Sequence, residues 1–554
     1  MKPLPAGVRE TGSTNERALA LRRRSTGQRF AVGLICSLML CALSPRPART
    51  AAELVVRLDG MDLPLSISDL GGWIRGQGSD SSELSVWLNL LEEESRQGVI
   101  DLLKAPLIND RSMARQILNS WAGRRLLDQV SDLVLVDDDT TGQTVQMTLE
   151  SLLAKRPEVS TLDLLEALPA QRVRLDLDAL LPVASSWRLQ LQRQQALVKT
   201  LNQLPVSSLT QSINPEDGAK VASDSALQQL TLPVEHRDQP LQLQLWRPSP
   251  SDGRQRSHWL VLMPGLGGSP DHFRWLGRAL SRQGWPVLVL EHPGSDALAV
   301  QALLEGRQPP PGAEVLPDRL RDLSAVLAAR RREVFQLPGT RLVLGGHSLG
   351  ALTALLASGA RPEKGLARRC GQDLDDLPIS NLSRLLQCQI EDVTLPEVSP
   401  PQELAGVVGL NSFGSLLWPR QIPLSADVAV FLSGGTLDLI TPPLSEQLGL
   451  LRSLPANPAT RAVLVEGASH FSPVRVEGQS GGGQGEDVFQ LGEELVGVQP
   501  LRVQAQLERE IVRFLIDLEA GRVSSSQKGG VEHLQVGDLH LHRLDQTGAA
   551  RFVD

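Results

Sequence analysis

The chain predicts an α/β protein, a mainly parallel sheet with flanking helices and a cap insertion, preceded by a mainly helical amino-terminal domain. Three observations carry this reading. From His258 onward, strand-like and helix-like runs alternate, the signature of a mainly parallel sheet. The stretch Gly345-Gly346-His347-Ser348-Leu349-Gly350-Ala351 lies between strand-like Arg341-Leu342-Val343-Leu344 and helix-like Leu352-Thr353-Ala354-Leu355-Leu356, as in a tight strand-to-helix turn. Between residues 53 and 205, apolar residues recur at three- and four-residue steps, as in Met113, Ile117, Leu118, Trp121, Leu126, Leu127, Val130 and Leu133.

Residues 1–52 read as a targeting segment. They hold nine Lys or Arg against Glu10 and Glu16, so the remainder carries −15 where the whole chain carries −8. Arg22-Arg23-Arg24 and Arg29 precede an apolar run, Phe30 to Leu43, that is short for a span of about 20 residues and suited to a signal h-region. Export to the periplasm or another extracytoplasmic compartment is the expectation, with cleavage after Ala52 or Ala51; an uncleaved anchor is the alternative. Residues 53–205 follow as the amino-terminal domain, opening with a strand at Glu53–Leu58, a turn at Asp59-Gly60 and a return strand at Met61–Leu65. Ser160 is placed to cap a helix carrying Leu162, Leu165 and Leu168. A Ser-, Asn-, Asp- and Gly-bearing linker near 205–222 ends that domain.

Residues 206–522 form the second domain. It starts with two alternating strands, Leu227–Glu235 and Pro240–Pro248, and ends with a helix from Val503 to about Leu518. Residues 361–402 are an insertion between the elbow helix and the next strand, read as a cap, because insertions of this kind lie above the strand ends. Leu374, Leu377, Ile379, Leu382, Leu385 and Leu386 either face an acyl chain or pack the cap's own core. Two cysteines remain after export, Cys370 and Cys388. A disulfide between them, closing a loop worth about 3 kcal/mol, is expected; two free thiols are the alternative. Residues 523–554 read as a tail of unassigned role, with Leu539-His540-Leu541-His542-Arg543 as an exposed strand face and His540 and His542 a weak metal signal.

The chemistry concentrates at strand ends. Ser348 sits on the tight turn with Gly346 and Gly350 two residues to either side, where small residues let the backbone pass. An acyl-transfer serine needs a base, and the base needs a carboxylate. Asp438 follows the apolar strand Asp427–Ser433 as candidate acid, and His470 follows Arg461–Glu466 as candidate base, in the chain order Ser, acid, His. Asp438 also suits a simple helix N-cap before Thr441. The oxyanion donors expected are the amides of Leu266, in Pro264-Gly265-Leu266-Gly267-Gly268, and of Leu349. His347, His292, His236, His258 and His272 read as structural or pocket-lining, and Ser412, whose surrounding pattern lacks the first glycine, as structural.

These residues resemble the α/β-hydrolase superfamily, and specifically the platelet-activating-factor acetylhydrolase and predicted dienelactone hydrolase group. The likeness is carried by Met263-Pro264-Gly265-Leu266-Gly267-Gly268, Leu290-Glu291-His292-Pro293-Gly294-Ser295 and Gly346-His347-Ser348-Leu349-Gly350. Many bacterial members carry an amino-terminal helical domain of unknown function, which Glu53 to about Val206 resembles. Dienelactone hydrolases use a cysteine where this chain has Ser348. Mammalian-type acetylhydrolases place the acid after the strand next to the elbow, where this chain has Asn411.

The resemblance implies an exported serine hydrolase of short-acyl or lipid esters working through an acyl-enzyme. Acyl transfer or thioester hydrolysis by the same triad, or a non-enzymatic binding protein on the same fold, are the alternatives. Neither a metal nor an organic cofactor is required by this chemistry. Charged residues make up 21% of the chain with no basic cluster in its body, which argues against nucleic-acid binding. The expected partner is a small-molecule or lipid ester, with membrane-interface contact through the cap.

Overall fold

The computed structural model describes residues 51–553 apart from 77–83, 85–91, 105, 109–115, 117–119, 126–132, 140, 157, 208–226, 249–255, 374–380, 475–499 and 522–529. The targeting segment up to Thr50, the leucine-repeat residues Met113, Ile117, Leu118, Leu126, Leu127 and Val130, and cap residues Leu374, Leu377 and Ile379 therefore lie outside the described residues.

The expected hairpin is present as β1 (Glu53–Leu58) and β2 (Met61–Ser66), paired antiparallel. Helix α1 (Ile67–Ile74) follows, its first turn capped by Ser66, whose hydroxyl accepts from Asp69 N. After α2 (Glu93–Lys104) come β3 (Pro106–Ile108) and β4 (Val134–Val136), then α3 (Gln143–Leu153) and β5 (Val159–Ser160). Helix α4 (Thr161–Ala167) starts at Ser160 with a reciprocal capping box to Asp163. Strand β6 (Arg172–Asp176) pairs parallel to β1 and antiparallel to β4, giving a four-stranded sheet ordered β2-β1-β6-β4. The amino-terminal helices thus pack with a small sheet, whose later strands are too short to show a period of two in the sequence.

Helix α5 (Leu177–Asn202) leads into the second domain and shares its core, with Leu197 and Leu201 buried in the same apolar cluster as Leu241 and Leu243. The strands β7 (Leu227–Leu232), β8 (Leu241–Trp246) and β9 (His258–Met263) begin the main sheet; α6 (Arg274–Arg282) and β10 (Val287–Leu290) follow. Next come α7 (Ala297–Leu304), α8 (Leu316–Arg331), β11 (Arg341–His347) and α9 (Leu349–Ala357), then the insertion helices α10 (Leu366–Asp373) and α11 (Ser383–Gln389). Strands β12 (Leu404–Leu410), β13 (Ala429–Gly435) and β14 (Arg461–Val465), helix α12 (Pro500–Glu519) and the strands β15 (Val531–Val536) and β16 (Leu539–Leu544) complete the sheet's surroundings.

The ten strands are ordered β15-β16-β14-β13-β12-β11-β9-β10-β8-β7, and the central run from β10 to β14 is parallel. Alternation along β9 sends Trp259, Val261 and Met263 to one apolar layer, with α8 and α9, and Leu260 and Leu262 to the other, with α6 and α12. The chain moves from β9 outward to β10 and then returns to place β11 on the opposite side of β9, so the strand order reverses between β9 and β11. Crevices at the carboxyl ends of strands form at such a reversal.

Two expectations need correction. The last segment is no tail: β15 and β16 form a hairpin, and β16 pairs antiparallel with β14. A parallel sheet ending at β14 would expose a row of unpaired backbone groups, which this hairpin covers. Nor is its His-rich strand an exposed face. His542 is fully buried with Nε2 2.5 Å from Glu466 Oε1, and His540 Nδ1 lies 2.9 Å from His533 Nε2. Arg543 forks onto Glu510 at 2.9 Å through both Nε and Nη2 and also reaches Glu532, which ties the hairpin to α12.

Candidate active site

Ser348 stands at the reversal point, immediately after β11, with φ 51° and ψ −119°. A β-carbon residue in this region is strained, and the strain persists only where the surroundings enforce it. The enforcement is visible on both sides. A Cβ on Gly346 would meet Gly350 C at 2.4 Å, and one on Gly350 would meet Met263 O at 1.9 Å. The elbow therefore closes against the end of β9 only because both positions are glycine. Gly265 packs there as well, where a Cβ would stand 3.2 Å from Ser348 Cβ.

Asp438 lies in the loop after β13, fully buried. Its two oxygens divide the work. Oδ1 accepts from the amides of Ile440 at 2.9 Å and Thr441 at 2.8 Å, an Asx-type turn. Oδ2 faces His470 Nδ1 at 2.9 Å and accepts from Thr441 Oγ1 and Asn411 Nδ2, each at 2.6 Å. The expected helix cap is not made, because the next helical segment begins only at Leu444, after Pro443; Asp438 turns the loop through Oδ1 and faces His470 through Oδ2. Burial alone would raise this carboxyl; the His470 imidazole and the Thr441 hydroxyl and amide outweigh it and bring the pKa down to about 2.

His470 follows β14 on a loop whose backbone is fixed from the elbow. His347 Nε2–H donates to His470 O at 2.8 Å, and the two rings lie 4.7 Å apart. Since His347 immediately precedes Ser348, this contact joins the serine's strand end to the histidine's loop. With Nδ1–H given to Asp438, the His470 lone pair is on Nε2, the tautomer a general base requires. Ser348 Oγ makes no side-chain hydrogen bond among the described residues. Burial first, then the neighbouring His470, holds His347 far below the usual histidine range, so it is neutral.

The two expected oxyanion donors lie on the turn after β9 and at the start of α9. Leu349 opens α9, where the amide has no intrahelical acceptor. In the turn after β9, Gly267 N donates to Ser295 O at 2.8 Å and Gly268 N to Gly265 O at 3.2 Å; the Leu266 amide lies between Gly265, packed on Ser348, and these committed groups.

Thr441 and Arg319 had no legible sequence signal toward this site, and Asn411 stood out only as a residue in place of an acid. Arg319, on α8, donates to the carbonyl of Pro264 in the turn after β9. Thr441 stands three residues after Asp438, a spacing that signals a cap and nothing about His470. His236 and His292 both donate to Asp322, at 2.7 and 2.8 Å, together with Arg237. Among the described residues no group of three or more His, Cys, Asp or Glu is arranged to hold a metal ion.

The insertion is fastened beside the acid loop. Cys370 and Cys388 are joined by a disulfide, a bond that persists in oxidising compartments. Ser383 N donates to Ile440 O at 2.9 Å, and Gln389 Oε1 accepts from Ala313 N at 2.8 Å. Buried Glu446 accepts from Asn381 Nδ2 at 2.6 Å, Gln387 Nε2 at 3.2 Å and Ser415 Oγ at 2.7 Å, so one carboxylate anchors the insertion to the loop after β12. Of the expected cap leucines, Leu382 is exposed, whereas Leu385 and Leu386 are half-buried and Leu386 packs on the main core. From the amino-terminal domain, Trp121 Nε1 donates to Asp392 Oδ2 at 2.7 Å, and α5 reaches the acid loop through Gln194 Nε2 and Thr436 O.

A family model described as "Alpha/beta hydrolase of unknown function (DUF1400)" matches residues 50–176. That span covers the four-stranded sheet and its helices and stops before the ten-stranded sheet. No curated protein matches the chain. The description names the superfamily whose arrangement the main sheet has, and no narrower group. Among the described residues no helix is long and apolar enough to cross a membrane.

Proposed function

We propose that this protein is an exported serine hydrolase of carboxylic esters, in which Ser348 is the nucleophile, His470 the general acid and base, and Asp438 its partner. The observation that carries the reading is a strained Ser348 whose neighbour His347 hydrogen-bonds the carbonyl of His470, itself paired through Nδ1 with buried Asp438. Ser348 Oγ attacks the ester carbonyl carbon while its proton passes to His470 Nε2. The carbonyl oxygen becomes an oxyanion, held by the amides of Leu266 and Leu349. As the tetrahedral centre collapses, His470 returns the proton to the departing alkoxide, leaving an acyl-Ser348 ester. Water, deprotonated by the same nitrogen, repeats the sequence and releases the acid. Asp438 stays ionised throughout, balancing the imidazolium that forms twice.

Short-acyl or lipid esters are the proposed substrates, with the 361–402 insertion beside the acid loop selecting chain length. The disulfide in that insertion and the basic, then apolar, first 52 residues support an oxidising destination. Hydrolysis of p-nitrophenyl esters from acetate to palmitate by the purified chain, with Ser348→Ala as control, tests the reading. Turnover in the wild type, its loss in the variant and fluorophosphonate labelling of Ser348 are expected. A wild type that neither turns over nor labels would overturn it in favour of a binding role.

A further inference from the structure

Arg319 is buried in α8 behind the oxyanion turn, 1% exposed, yet forms no ion pair with a carboxylate among the described residues. Its guanidinium donates only to neutral acceptors: Nη2 to Pro264 O, Nη1 to Ser295 Oγ at 2.7 Å and Nε to Thr353 Oγ1 at 3.2 Å. Burying a cation without a directly paired anion is costly. Burial lowers its pKa to about 9, with Asp322 opposing the fall, so it still carries its charge at neutral pH.

Each acceptor belongs to a segment that bears on an oxyanion donor. Pro264 opens the turn that contains Leu266. Ser295 O receives the Gly267 amide at 2.8 Å, so a serine held by Arg319 fixes the far end of that turn. Thr353 donates its own hydroxyl hydrogen bond to Leu349 O at 2.7 Å, making a chain from guanidinium to hydroxyl to the first residue of α9. One planar, rigid cation thus spans the two segments whose amides must converge on a single oxygen.

Building on the proposed role of Ser348, we propose that Arg319 is the positioning residue of the oxyanion hole, setting the separation of the Leu266 and Leu349 amides and placing a positive charge behind them. It touches no substrate atom; it acts through the turn and through Thr353. Its effect belongs to the tetrahedral state and not to the bound ester.

The test compares the full wild-type chain with Arg319→Met and Arg319→Lys for kcat, KM and inhibition by an arylboronic acid, which forms a tetrahedral adduct on a reactive serine. With Arg319→Met, kcat is expected to fall on the order of 10²- to 10³-fold, as on loss of an oxyanion donor, with boronate affinity falling in parallel. KM stays within about threefold, the pattern of an interaction made only in the transition state. Arg319→Lys, which keeps the charge and loses the fork, is expected to lose less. Thr353→Val, nearly isosteric, breaks only the hydroxyl relay and is expected to lower kcat about tenfold.

A folded Arg319→Met or Thr353→Val enzyme with kcat and boronate affinity within about threefold of wild type overturns the proposal. Failure of both variants to fold does so too, because it reduces Arg319 to a structural anchor. If the wild type labels with fluorophosphonate and Arg319→Met hydrolyses normally, this inference falls while the esterase reading stands. If the wild type neither labels nor hydrolyses, both fall.

Discussion

Asn411 Nδ2 donates to Asp438 Oδ2 at 2.6 Å, from the end of the strand that separates the serine's strand from the acid's. Asn411 is 1% exposed and held at φ 48°, with its amide donating to Ser433 O at 2.7 Å. It is a neutral donor that holds the buried Asp438 carboxylate one strand further along.

Asn411→Asp sets two carboxylates within hydrogen-bonding distance, where both cannot ionise. The pair keeps a proton that the unfolded chain has already lost, so its folded pKa is raised. Stability then falls as pH rises above about 4. Melting temperature measured from pH 5 to 9 is expected to decline in the variant relative to wild type; parallel curves would contradict this.

Ser348→Ala and Ser348→Gly both remove the hydroxyl, yet they differ in backbone strain. At φ 51° and ψ −119° alanine keeps the penalty and glycine does not. The glycine variant is expected to be more stable than the alanine variant by roughly 1 kcal/mol. Chemical denaturation of the two inactive proteins measures this; equal midpoints would mean that the elbow is not strained.

His347 Nε2–H is the donor to His470 O at 2.8 Å. His347→Phe keeps a ring of similar size and leaves that buried carbonyl unpaired, at a cost of about 1–3 kcal/mol. Loosening the His470 loop is expected to lower kcat about tenfold with little change in KM. Steady-state kinetics beside thermal denaturation checks both effects, and full activity would show that the loop holds its place without this bond.

Acid stability follows from groups held neutral or ionised by burial. His292 is pushed down to about 3, by burial first and by the Arg319 charge second, and His347 is lowered by burial and by His470. The unfolded chain takes up these protons near pH 6.5 and the folded chain does not, so stability is complete above about 6.5 and is lost as pH falls. His292 alone is expected to cost roughly 2 kcal/mol by pH 5. Asp438, lowered to about 2, adds a second loss as pH falls from about 4 toward 2. Urea unfolding between pH 8 and 4 is expected to show a first decline below 6.5. His292→Asn, which retains a donor for Asp322, is expected to lessen it.

Local rules made much of this legible in advance. The apolar runs at β9, β11, β13 and β14, the glycines flanking Ser348, and a carboxylate and a histidine just beyond two strand ends are set by near neighbours in the chain. So were the Ser160 cap, the β1–β2 hairpin and the Cys370–Cys388 pairing, each depending on short separations. Alternation in Leu539–Leu544 showed a strand, but alternation gives a period and not what covers the two faces, so the open edge of β14 that recruits this hairpin was invisible. The same limit hid the supports of the site. That Asn411 reaches Asp438, that His347 holds the carbonyl of His470, and that Arg319 bridges Pro264 and Thr353 depend on strand order and on the distance between segments far apart in sequence. By itself the sequence determined which residues are chemically able to act and on which strand ends they sit. Only the tertiary structure decided which groups hold them, because register and burial, not residue type, bring a donor to within three ångströms of an acceptor.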